Sequence, residues 1–105
     1  MIDNLDVYYS NKNFIEKEEI LDVFFEKTSD MENKIYKLWD DSNNDDKKLL
    51  RNMLSTISLF KTSYYESRQT KDYDNDINIL KMGRYLCTIP YAYLNTALKK
   101  KGETE

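Results

Sequence analysis

The 105-residue chain contains no histidine and a single cysteine, Cys87. Without histidine there is no Ser-His or Cys-His nucleophile system, and the commonest metal ligand is missing. A zinc site would need several cysteines or histidines, and the acidic runs at 41–46 and 72–77 lack the glycine and glutamate of a calcium-binding EF-hand loop. Cys87 lies in an apolar run and is predicted to be a small buried residue. We therefore expect a protein that is not an enzyme and uses neither a cofactor nor a metal.

Glycine and proline are also scarce, with two and one in the whole chain. That is too few for the frequent tight turns of a β-sandwich or barrel. Apolar residues instead recur at helical spacing. The pattern predicts an all-α fold, a compact bundle of four to five helices in a single domain covering residues 1–105. Within it, residues 1–12 are interpreted as either a docked arm or a frayed terminus, and residues 102–105 as a disordered tail.

The predicted helices cover residues 13–28, 30–40 and 90–101, with a third from a cap at 44 or 45 to about 68 and a fourth from a cap at 74 or 75 to about 86. In the fourth of these, partial alternation of apolar residues leaves a strand as the other interpretation. Polar residues that favour helix starts define the boundaries. The predicted caps are Ser29 (with Glu32 in a capping box) for the second helix, Asn44 or Asp45 for the third, and Asp74 or Asn75 for the fourth. The predicted core consists of Leu21, Phe24, Ile35, Leu38, Trp39, Leu50, Met53, Leu54, Ile57, Phe60, Leu80, Leu86 and Leu94.

Charge is unevenly divided along the chain, whose net charge is −3. Residues 1–46 hold thirteen acids and five bases, whereas residues 47–105 hold six acids and eleven bases. This division predicts opposed faces that meet either each other or a partner. We expect a binding module whose acidic helix face meets a basic protein partner or the basic half of a second copy, with tyrosines adding contact area. The candidate residues are Glu16, Glu18, Glu19, Asp22, Glu26, Tyr64 and Tyr65.

A second hypothesis is DNA binding. The segment Ile89-Pro90-x-x-Tyr93-Leu94-x-x-x-Leu98-Lys99-Lys100 resembles the turn and recognition helix of helix-turn-helix regulators. The resemblance implies that helix 90–101 enters the groove of DNA, supported by the helix before it. The residues that would then face bases or phosphates are Tyr91, Asn95, Thr96, Lys99 and Lys100.

The setting of the protein is a further expectation. No apolar run approaches the roughly 20 residues of a membrane span, and the first residues lack the features of a secretory signal. With one cysteine, this favours a cytoplasmic protein without membrane contact. Abundant Asn, Lys and Tyr are typical of an AT-rich bacterium, where small acidic proteins of phages, plasmids or other mobile elements act as inhibitors or adaptors. In a third interpretation, apolar surface at Phe24, Phe25 and Trp39 forms a dimer contact.

Overall fold

The computed structural model describes residues 14–70 and 76–102, which fold into four helices. These are α1 (Phe14–Trp39), α2 (Asn44–Thr70), α3 (Asp76–Leu86) and α4 (Ile89–Lys101). The two described ranges contain no strand, so the all-α class predicted from the sequence is confirmed. The strand interpretation is wrong for Asp76–Leu86, which is helical. The arm at 1–12, the caps Asp74 and Asn75, and tail residues 103–105 lie outside the described residues.

Helix α1 is continuous through Ser29, where the sequence predicted that a second helix begins. That prediction is wrong because the hydroxyl of Ser29 does not cap a helix. It donates instead to the backbone carbonyl of Phe25 (3.1 Å), and the hydroxyl of Thr28 donates to the same carbonyl (2.9 Å). Both bonds are typical of Ser and Thr inside a helix. An unbroken seam with spacings of three and four residues faces the core along α1, formed by Leu21, Phe24, Thr28, Met31, Ile35 and Leu38.

The N-terminal cap of α2 is Asn43. Its side-chain oxygen accepts the backbone N–H of Asp46 at 2.8 Å, which satisfies a donor that the first turn leaves without a helical partner. The prediction of Asn44 or Asp45 is therefore wrong by one or two residues. Asp45 and Asp46 occupy the first turn, where their negative charge complements the helix dipole.

The predicted core is mostly confirmed. Phe24, Trp39 and Leu54 are only partly buried against it, and the other ten predicted residues are fully buried. Phe24 lies against α3, Phe25 against the tyrosines of α2, and Trp39 beneath the cations of Lys47 and Arg51. The proposed dimer contact at these three aromatic residues is thus partly covered within the chain. The buried hydrophobic core residues that the predicted list omitted are Met31, Tyr64, Ile79 and Leu98.

The helices do not pack equally on one another. Helix α1 packs on all three others, and α3 packs on α1, α2 and α4. Gly83 allows α3 to approach both α1 and α2 closely. Helices α2 and α4 make little contact across the described residues, and a groove lies between them. At the end of α4, Gly102 adopts the left-handed conformation (φ 91°), and its N–H reaches the carbonyls of Leu98 and Lys99.

Candidate protein-interaction site

The acidic and basic halves of the chain pair with each other. Arg68 on α2 lies 2.5 Å from the carboxylate of Asp22 and 4.0 Å from that of Glu18, both on α1. Lys61 on α2 forms an ion pair with Glu32 on α1. Some of the charges that the sequence analysis assigned to a partner are therefore paired within the fold.

The five acids predicted to bind a partner therefore have different surroundings. Glu18 and Asp22 lie in the contact with Arg68 described above, and Glu16 is half-buried. Glu19 and Glu26 are exposed, and the exposed side chain of Val23 lies between them on the same helix. Of the predicted acidic set, only this smaller part is left on the outer face of α1.

The two predicted tyrosines point in different directions, as adjacent positions on a helix must. Tyr64 is only 8% exposed and donates its hydroxyl to Asp22 at 2.5 Å. Burial, together with this hydrogen bond, raises the pKa of Tyr64 to about 12. Tyr65 is 53% exposed and lies edge-on to the rings of Phe25 and Tyr64, with centroids 5.5 and 5.6 Å away. Tyr64 thus joins α1 to α2, whereas Tyr65 contributes to the surface.

A buried lysine joins α1 to α4. Lys34 is only 6% exposed, and its ammonium donates to Asn95 Oδ1 (2.5 Å) and to the hydroxyl of Tyr91 (3.3 Å). It also lies 3.0 Å from the carboxylate of Asp30, which accepts the Tyr91 hydroxyl proton at 3.1 Å. The sequence interpretation missed Lys34, although its position between Met31 and Leu38 places it beside the apolar seam.

The residues predicted to bind DNA do not share one open face. Tyr91 and Asn95 are half-buried and face α1 through Lys34. Thr96, Lys99 and Lys100 are exposed. The arrangement therefore brings only the second half of the predicted recognition surface to solvent.

The groove between α2 and α4 has a volume of about 550 Å³. Apolar groups of Leu38, Leu50 and Ala97 line it, with Asp46 on the α2 side and Lys100 on the α4 side. We call this feature the α2–α4 groove. Its volume falls in the range of roughly 300–1,000 Å³ that is usual for binding clefts.

One end of the α2–α4 groove is lined by polar groups that already have partners within the chain. The ammonium of Lys101 lies 2.9 Å from the carboxylate of Asp41 and donates to the carbonyl of Lys37 at 2.6 Å. The hydroxyl of Ser42 donates to the carbonyl of Leu38 at 2.7 Å. These contacts link the α1–α2 loop to the end of α4 and fix their relative position at this end of the groove.

Tyr93, Asp46 and Lys100 also line the α2–α4 groove. Burial, and secondarily the negative charge of Asp46, raises the pKa of Tyr93. Its hydroxyl is therefore neutral at physiological pH and available as a hydrogen-bond donor. Neither the carboxylate of Asp46 nor the ammonium of Lys100 forms an ion pair with another residue of 14–70 or 76–102. The two walls thus carry opposite charges.

The remaining chemical groups of the described residues are possible metal ligands and the thiol of Cys87. Within 14–70 and 76–102 there is no group of three or more side chains suited to hold a metal ion. Cys87 is half-buried rather than fully buried as predicted, and burial raises the pKa of its thiol despite the nearby charge of Lys27. The protonated thiol is a weak nucleophile. No helix in these ranges combines the length and the apolar character needed to cross a bilayer.

Comparisons with known proteins give no information about the function of this chain. The chain matches no protein-family model, no curated protein and no solved structure. The contacts, burial and charges described above are therefore the basis on which a function is proposed.

Proposed function

We propose that this chain is a non-enzymatic protein-interaction module that binds through the α2–α4 groove. The observation that carries the proposal is a groove of about 550 Å³ with apolar lining and a charged rim, left where α2 and α4 do not pack on each other. An apolar floor with polar groups around it is the usual composition of a protein-binding cleft. The chain acts as one cytoplasmic domain, in the role of an inhibitor or adaptor encoded by a mobile element.

The lining of the groove favours a side chain of a protein over a small polar ligand. Leu38 and Leu50 form an apolar floor, and Ala97 leaves space above it. A leucine or phenylalanine side chain buried there would gain about 1.5–3 kcal/mol from removal of its apolar surface from water. The carboxylate of Asp46 and the hydroxyl of Tyr93 then supply an acceptor and a donor that fix the orientation of the partner.

The outer face of α1 is the weaker surface for this function. Asp22, at its centre, already binds Arg68 and Tyr64 within the chain. Glu19, Val23 and Glu26 are exposed there, and exposed charges on a helix are more often solvated than bound. DNA binding through α4 is supported less, because Tyr91 and Asn95 are committed to Lys34.

The experiment is affinity capture from a lysate of the source organism with matched surface variants. Thr96→Arg places a long charged side chain in the groove at an exposed position, whereas Ala92→Arg makes a comparable change one turn away on α4, at a position that does not line the groove. Glu19→Lys with Glu26→Lys changes the outer face of α1. Circular dichroism checks that each variant is folded.

We expect a protein that binds the wild type to be lost with Thr96→Arg and retained with Ala92→Arg and with the double Lys variant. Loss with the double variant alone would move the binding surface to α1. Salt-sensitive binding of duplex DNA that disappears with Lys99→Ala and Lys100→Ala would favour the helix-turn-helix function instead.

A further inference from the structure

The charges on the rim of the α2–α4 groove are of opposite sign on its two walls. Asp46 lies in the first turn of α2 and Lys100 in the last turn of α4, and both line the groove. Asp41, just before α2, pairs with Lys101 at the end of α4, so the start of α2 and the end of α4 lie at the same end of the groove and the two helices run in opposite directions. A surface that carries both charges of a pair, with neither used inside the described chain, is complementary to itself.

Helix α4 has a second face beside the one that enters the core. Pro90, Leu94 and Leu98 are buried in the bundle. A separate face, with spacings of four, three and four residues, is formed by Ile89, Tyr93, Thr96 and Lys100. Tyr93, Thr96 and Lys100 line the groove, and Ile89, one turn earlier, is 75% exposed. Spacings of three and four residues are those by which one helix packs along another.

We propose that the α2–α4 groove binds the same groove of a second copy of this chain, with α4 of each copy against α2 of the other. The inference rests on the proposed function, since it uses the same groove, and it names the partner. A twofold axis along the groove places α4 of each copy over α2 of the other and keeps the residues at one end of the groove at that same end. The end of the second α4 then lies at the start of α2 in the first copy, which brings Lys100 of each copy beside Asp46 of the other. Ile89, which is exposed at the start of α4, is covered in the same contact.

The reciprocal pairing leads to a test that a monomer cannot mimic. In a dimer of the Lys100→Asp variant, the carboxylate introduced in each copy meets the carboxylate of Asp46 in the other. In a dimer of the Asp46→Lys variant, the ammonium introduced in each copy meets the ammonium of Lys100 in the other. The twofold axis repeats each repulsion, so we expect the dimer dissociation constant to rise roughly tenfold or more in either variant. An equimolar mixture of the two variants should form dimers again. In the heterodimer, one contact joins the two introduced groups and the other joins the two native groups, and the charges at each contact are of opposite sign.

The measurement is sedimentation equilibrium of the full chain at moderate salt. Lys99→Asp and Asp45→Lys are the matched controls, because each makes the same charge change one residue away at an exposed position outside the groove lining. Both controls should dimerise as the wild type does. Circular dichroism confirms that the variants remain helical.

Three results would overturn the proposal: a wild type that stays monomeric at its highest soluble concentration, a dimer that both charge reversals leave unchanged, or a mixture that fails to recover the dimer. Each leaves the proposed function standing if Thr96→Arg still abolishes capture of a different protein. If Thr96→Arg affects neither capture nor dimerisation, the groove itself is not a binding surface and both proposals fail.

Discussion

Gly83 on α3 lies so close to Phe24 on α1 that a Cβ atom at position 83 would stand 2.6 Å from Cδ2 of the Phe24 ring and 2.8 Å from Cε1 of Phe60. An exposed helical glycine usually gains about 1 kcal/mol of stability when it is replaced by alanine. Here the added methyl must displace two rings, and overpacking of this kind costs about 1–3 kcal/mol. We expect Gly83→Ala to lower the free energy of unfolding by about 1 kcal/mol in urea denaturation.

The exposed neighbour Arg84 supplies the control for this substitution. Arg84→Ala adds no atoms to the core and should change the free energy of unfolding by less than about 0.5 kcal/mol. A Gly83→Ala protein more stable than the wild type would show that α3 does not approach Phe24 as the structure has it.

Lys34 should matter for stability through its buried side chain. Lys34→Ala removes the hydrogen bonds to Tyr91 and Asn95 together with the packing of its alkyl chain, and we expect a loss of about 1–3 kcal/mol. The remaining Asp30 carboxylate is half exposed, so water solvates part of its charge. Lys34→Met keeps most of the buried volume and should restore at least half of the loss in urea denaturation. Lys37→Ala, at an exposed position on the same helix, should have little effect.

Tyr64 should make the stability of the protein fall at high pH. Its pKa is about 12 in the folded chain and about 10 when unfolded, so the unfolded chain loses this proton first as pH rises. The contribution is therefore complete below pH 10 and is lost between about pH 10 and 12, with a total of about 3 kcal/mol. Tyr64→Phe should remove this part of the pH dependence, measured as the difference in urea unfolding between the two proteins.

The same tyrosine is testable by ultraviolet titration of tyrosinate. Asp22→Asn removes the carboxylate that accepts the hydroxyl proton of Tyr64, and it should lower the pKa of Tyr64 part of the way. Burial, the largest cause of the shift, remains in that variant. A titration in which Tyr64→Phe deletes no group with a pKa near 12 would contradict the buried position of this ring.

The N-terminal cap of α2 can be tested by substituting two neighbouring asparagines one at a time. Asn43→Ala should cost about 1 kcal/mol, because the backbone N–H of Asp46 loses its acceptor. Asn44→Ala changes a first-turn residue whose side chain is exposed, and should alter the free energy of unfolding by less than about 0.5 kcal/mol. Equal effects in thermal or urea denaturation would place the helix start elsewhere.

The spacing of apolar residues in the sequence predicted those features of the fold that depend on a single helix. The apolar repeat from Leu50 to Phe60 identified α2 and most of its buried face, because burial on one side of a helix leaves a direct trace in residue spacing. The division of α1 at Ser29 failed because a capping box is a local signal, and the packed seam through Thr28 and Met31 outweighs it. That seam is visible in the sequence if the buried Thr28 is accepted as one of its members.

The candidate site was much less predictable. Asp22 was assigned to a partner, whereas Arg68, forty-six residues later, binds it within the chain. The α2–α4 groove exists because two helices fail to meet, and no spacing within either helix encodes that. Lys100 was predicted only as a DNA contact, since its position opposite Asp46 requires the packing of both helices on α1.

The pairing of Glu32 with Lys61 and of Asp22 with Arg68 also bears on how the chain folds as it is synthesised. Until α2 has been translated, Glu32 and Asp22 lack the α2 cations that pair with them, and the apolar seam of α1 has nothing to cover it. Most of the stability of a helix in a protein comes from the packing of its apolar face. The nascent segment should therefore hold little stable structure until α2 has been translated, and an isolated peptide of residues 1–46 should show only weak helical ellipticity.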